Sequence, residues 1–227
     1  MNLAMVGVIS LFLLQKPGVP AVPPAAPLAA VQYSLADRYG NAFVNGVFDD
    51  NILLTMAYMR GAVHKGERVV WGAVRAPFRY TLTLKPGETF AFHDRLLPEF
   101  QGKVVATTNA HFDSTEGFRS DGYLVGDGVC HLASFINVAA KEAGLAVVAP
   151  TPHNFAKIND VAKKDGVAIY YDPTAEGSSA LQNLYVTNNK AGDVVFTFTY
   201  DGTSLDISVS EELPALLPLQ SAVSPLV

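Results

Sequence analysis

The chain has 227 residues, 49% of them hydrophobic and 16% charged, enough apolar material for one core and no sign of global disorder. A net charge of −5 with no Lys/Arg-rich run argues against a nucleic-acid groove or a polybasic membrane patch, because both need clustered cations. The single cysteine excludes an intrachain disulfide.

Leu3 to Leu14 is an apolar run interrupted only by Gly7 and Ser10. As a helix it spans about 18 Å, short of the roughly 30 Å hydrocarbon core but typical of a signal-peptide core. Residues 1–15 are therefore expected to be a signal peptide or membrane anchor, and the protein to be exported. Lys16 to Ala30, with five prolines, reads as an extended spacer. The domain is expected over residues 31–210, followed by a Leu- and Pro-rich tail, 211–227, with no assigned structure.

Asp49 or Asp50 is a candidate cap for a helix running to about Arg60, with Ile52, Leu53, Met56 and Met59 at helical spacing and Gly61 at the stop. Val69 to Leu84 reads as strand, most clearly from Tyr80. Lys85-Pro86-Gly87-Glu88 is a turn, because Pro fixes φ at its second position and Gly tolerates positive φ at the third. Thr89–Phe92 and Val104–Thr107 read as extended, and Asn109–Gly122 as a surface loop. Cys130 to Ala143 is the strongest helix, with Leu132, Phe135, Ile136, Ala139 and Ala143 forming one apolar stripe toward a sheet and Gly144 at its end. Leu145–Val148, Val167–Tyr171, Leu184–Thr187, Val194–Tyr200 and Ser204–Val209 are strand-like. Asp201-Gly202 predicts a primed hairpin turn, so the last strands are expected to form a closing meander. The fold class is α+β, an antiparallel sheet with a helix carrying Cys130 at its start.

Cys130 shares a helix face with Ser134 and Asn137, off the apolar stripe. Unpaired N–H groups at a helix start stabilise a thiolate and an oxyanion. This predicts a thiol pKa below the free value of about 8.5, opposed by the charge of Asp127. Among the histidines, His131 is turned about 100° away on the helix. His64 and His93 show no partner, and His111 reads as solvated loop. His153 follows the strand that leaves the Cys130 helix and is the best-placed base, with Asp165 as the group that orients it. Cys130, His153 and Asp165 are the candidate catalytic residues; Gly128, Val129, His131 and Ser134 are the candidate binding residues. Neither zinc spacing nor a phosphate loop is present, so no metal or cofactor is expected.

Lys85-Pro86-Gly87-Glu88-Thr89-Phe90-Ala91-Phe92 resembles the P-G-E-x-F-S-F element of VanW-family domains. Gly126-Asp127-Gly128-Val129-Cys130-His131-Leu132-Ala133-Ser134 resembles that family's G-G-G-I-C-Q-x-S segment. Ala143-Gly144-Leu145, Pro152-His153, Lys164-Asp165-Gly166-Val167 and Val186-Thr187-Asn188-Asn189 match later family segments in order, and the earlier Asn51-Ile52 helix also fits, so the likeness runs from about Asn51 to Val209. The chain departs at Asp127 (Gly), His131 (Gln), Ala91 (Ser) and in a long insertion between Gly61 and Leu84. The order Cys, His, Asp is also similar to transglutaminase-like and papain-like thiol enzymes. The resemblance implies a bacterial cell-envelope protein. Two functions follow as expectations: thiol-dependent hydrolysis or transfer on cell-wall peptide, or a non-catalytic domain that binds wall peptide or glycan or scaffolds an envelope complex.

Overall fold

A computed structural model describes residues 26–213. The apolar run, most of the spacer and most of the tail lie outside the described residues. In chain order the elements are β1 (Ala29–Ser34), α1 (Ala42–Met59), α2 (Trp71–Val74), β2 (Phe78–Leu84), β3 (Thr89–Ala91) and β4 (Val104–Ala106). Then come α3 (Val129–Glu142), β5 (Ala146–Val148), α4 (Glu176–Leu181), β6 (Tyr185–Thr187), β7 (Asp193–Tyr200) and β8 (Ser204–Glu212). The class is α+β, with two four-stranded sheets in place of one. The first, in the order β1-β8-β7-β2, is antiparallel throughout. The second, β4-β3-β6-β5, is mixed, with β3 and β4 parallel. The expected closing meander is therefore only the β7–β8 hairpin, because β6 belongs to the other sheet. β1 takes in Ala29 and Ala30, read above as spacer, which pair with Val209 and Ser208.

The alternation of β7 and β8 explains their placement. Val194, Phe196, Phe198 and Tyr200 from β7, and Leu205, Ile207 and Val209 from β8, are buried, while the residues between them are not. α3 packs on β1 and β8 of the first sheet, on β5 of the second and on α1. Its expected stripe faces inward: Leu132, Phe135 and Ala139 have no exposure, and the Phe135 ring stacks on Tyr33 of β1 with centroids 3.7 Å apart. One continuous apolar cluster joins both sheets to both long helices.

α1 begins well before Asp49. Asn41 caps it, its Oδ1 accepting from the N–H groups of Phe43 and Val44 at 2.9 and 3.3 Å. From Asp50 to Met59 every residue is buried, so this half is a core helix on all sides. Asp50 is no cap: it accepts a two-pronged bond from Arg75 at 2.7 and 2.9 Å and a further bond from Arg119. Both guanidinium groups lie on Trp71, at 5.2 and 4.0 Å from a ring centroid. Trp71–Val74 is a helical turn, where strand was expected, and β2 starts only at Phe78. The loop after β4 is also not surface throughout, since Ala110, Phe112, Glu116 and Phe118 are buried.

Candidate functional site

The approach to α3 is set by glycine and by one buried amide. Gly128 precedes the helix at φ 99°, and a Cβ there would sit 2.5 Å from the Phe48 carbonyl oxygen of α1. Only glycine permits so close a crossing. Asn51, fully buried in α1, donates to the carbonyls of Arg119 and Asp127 at 3.0 and 2.8 Å and accepts from the Arg119 N–H at 2.8 Å. It pins both ends of the 119–127 loop to the helix. Composition and spacing did not single Asn51 out, because an asparagine inside an apolar helix gives no sign of its distant partners.

Past the cap, the polar face of α3 has a structural task. The Ile169 N–H donates to the Cys130 sulfur at 3.4 Å, and the thiol donates to the Ile169 carbonyl at 3.7 Å. Ser134 Oγ accepts from the Val167 N–H at 2.9 Å and donates to the Cys130 carbonyl at 2.7 Å. Asn137 Nδ2 donates to the Asp165 carbonyl at 2.7 Å. Helix positions i, i+4 and i+7 thus meet alternate residues of an extended segment, so side chains take the place of a neighbouring strand. This explains why Val167–Tyr171 forms no strand of either sheet.

The electrostatics differ from the expected activated thiol. Burial pushes Cys130 up to about 11, reinforced by Asp127 and only partly offset by the Ile169 bond. Burial also lifts Asp127 to about 6, against the bond it accepts from the Asp121 N–H. His131 is buried between Phe48 and Phe135, with ring centroids 4.9 and 6.3 Å away. Burial first, then Arg38 and His153, depresses it to about 3, and its Nδ1 has no hydrogen-bond partner among the described residues. His153 is buried and lowered by burial; its Nδ1 donates to the Ala156 carbonyl at 3.1 Å, and its ring lies 3.9 Å from that of Phe155.

Asp165 does not orient His153. Its carboxylate pairs with Lys141 of α3 at 2.9 Å, and the Ala156 carbonyl takes the role on the imidazole that was expected of Asp165. What His153 receives from this segment is main chain: its N–H donates to the Gly166 carbonyl at 3.0 Å. Cys130, Gly128, His131 and His153 line one cavity of about 400 Å³, whereas Val129, Ser134 and Asp165 do not. Val129 and Ser134 are buried in the packing of α3.

The rim of that cavity is aromatic. Tyr39, Tyr123, Phe155 and Tyr170 line it and are exposed, Tyr123 to 92% and Phe155 to 73%, with Leu124 beside them. Large apolar side chains exposed together mark a surface that meets something. Its charges are mixed, Arg38 and Lys157 against Asp121 and Asp127, and Arg38 is held by Asp160 at 2.6 Å and by the Asn159 carbonyl at 3.0 Å. A second cavity of about 290 Å³ shares His153, Phe155, Ala156 and Lys157 with the first. Sequence reading missed this rim, although Tyr123-Leu124, apolar in a polar Asp-Gly context, was its visible signal. Among the described residues no set of three or more His, Cys, Asp or Glu is grouped to hold a metal ion.

The chain matches no family model, and neither a curated protein nor a solved structure is significantly similar to it.

Proposed function

We propose that this is an exported, envelope-located VanW-like domain that binds a segment of wall peptide or glycan in the aromatic-rimmed cleft, with Cys130 as part of the cleft's framework. The observation that carries this reading is the pair of bonds between the Cys130 sulfur and the Ile169 main chain, one in each direction. A thiol so engaged, and protonated at neutral pH, is a poor nucleophile. The exposed rings above it suit a ligand with apolar faces and little net charge, because aromatic side chains give large contact area at small entropic cost. The order of VanW-like segments supports the envelope setting.

Titration with soluble muropeptides and glycan fragments tests it. Tyr123→Ala and Phe155→Ala should each weaken binding about tenfold, or about 1.4 kcal/mol, while Cys130→Ser leaves affinity within a factor of a few. Binding that ignores both rings would defeat the proposal.

The thiol-catalytic alternative keeps one observation. Cys130 and His153 line the same cavity, and the Nδ1 bond to Ala156 leaves Nε2 as the ring's acceptor. It requires the thiol to leave Ile169. Turnover of a wall peptide that disappears in Cys130→Ser would favour it over the binding reading.

A further inference from the structure

Away from the cleft, the chain inverts twice around one histidine. Asn109 and Phe112 both have positive φ, 60° and 64°, a conformation unusual for a side chain as bulky as phenylalanine. Phe112 is kept there by burial of its ring, with centroids 5.6 Å from Phe92 and 5.5 Å from Phe118. The inversions turn His111 back upon Glu116. The buried Glu116 carboxylate accepts the His111 main-chain N–H at 2.6 Å and pairs with its Nδ1 at 2.6 Å. A carboxylate at Nδ1 fixes a proton there and makes Nε2 the lone-pair nitrogen of the neutral ring, the arrangement found behind metal-ligating histidines.

Nε2 faces the half-exposed carboxylate of Asp94, with Oδ2 3.5 Å away. That is longer than an N–H···O hydrogen bond of ~2.7–3.2 Å. It is close to the separation of about 3.3–3.5 Å between two ligand atoms that each lie ~2.0–2.2 Å from a tetrahedral zinc ion. Tyr171 backs the imidazole at 4.6 Å between centroids. Arg95, the neighbouring cation, lies over Tyr171 at 5.3 Å and is drawn toward Glu176 at 3.4 Å.

We propose that His111 and Asp94 bind a divalent transition-metal ion of the zinc class, with Glu116 as the positioning residue behind His111. Two donors from the chain leave the other coordination positions to water or to a ligand that brings its own donor atom. The ion is therefore exchangeable and is not a closed structural centre. This site does not depend on the reading of the cleft.

Titration of the full chain with Co²⁺, followed by visible absorption and by competition with Zn²⁺, tests the assignment. The expected result is one ion per chain, loss of the signal in His111→Gln and Asp94→Asn, and weakening by about 10–100-fold in Glu116→Gln. If Glu116→Gln does not fold, Asp94→Asn decides alone, since Asp94 is half exposed. Absence of uptake at millimolar Co²⁺, or uptake unchanged by Asp94→Asn, would overturn the proposal and leave His111 as a ring held between two carboxylates. A thiolate-to-cobalt charge-transfer band would likewise overturn it, because the ion would then lie on Cys130.

Discussion

At the scale of single residues, burial reverses the chemistry that the helix start suggests for Cys130. A thiol raised to about 11 should react slowly with iodoacetamide at neutral pH, the rate should still be rising near pH 9, and His153→Ala should barely change the profile. A titration midpoint below about 8.5 that moves in His153→Ala would restore the nucleophile. Asp127 carries a pH dependence of its own. Its folded pKa, about 6, lies above the ordinary carboxylate value of 3.8, so its contribution to stability is fully present below about pH 4 and is lost as pH rises through about 6. The full shift would correspond to about 3 kcal/mol, and partial exposure of the carboxyl reduces this to about 1 kcal/mol. Asp127→Asn should therefore stabilise the protein by about 1 kcal/mol at pH 7 and leave it unchanged at pH 4. Denaturant midpoints at the two pH values check this, and an equal effect at both would show that Asp127 is not the titrating group.

At the scale of elements, α3 serves both sides of its own cylinder. Its apolar side was legible: Leu132, Phe135 and Ala139 repeat at helical spacing and all reach the core. Phe135→Ala should cost about 3–5 kcal/mol in urea unfolding, since the ring is fully buried against Tyr33. The polar side was legible as a pattern but not as a purpose. Cys130, Ser134 and Asn137 share a face, and sequence alone cannot distinguish a face turned to a ligand from one turned to the chain's own backbone. Ser134→Ala should cost about 1–3 kcal/mol, because it leaves the buried Val167 N–H without its acceptor. A cost below about 0.5 kcal/mol would mean that water replaces the hydroxyl. The start of α1 was misplaced for a related reason. Asp50 has the chemistry of a cap, yet its arginine partners lie 25 and 69 residues further along the chain.

At the scale of the whole molecule, the two sheets form one unit. The first sheet closes by pairing β1 with β8, which joins the two ends of the described chain, and α3 packs on both sheets. Local patterns revealed most of the strands but not their partners, so β6 was assigned to the hairpin it precedes instead of the sheet it completes. Because one apolar cluster spans both sheets, unfolding should be a single cooperative step. Trp71 fluorescence, which reports on α2, and far-ultraviolet circular dichroism should give superimposable urea curves. Separated midpoints would show that the molecule does not unfold in one step.

The segment that lies along α3 has a further consequence for hydrogen exchange. Between 167 and 170 the amides point alternately to two sides. Val167 and Ile169 donate to Ser134 and Cys130, while Ala168 and Tyr170 donate to the carbonyls of Thr151 and Gln182. The segment is thus fastened along one edge to a core helix and along the other to surface loops. In deuterium, the amides of Val167 and Ile169 should remain protected until α3 itself opens, and those of Ala168 and Tyr170 should exchange with the loops. A period-two pattern of protection, ordinarily the mark of an edge strand, would then appear in a stretch that belongs to neither sheet.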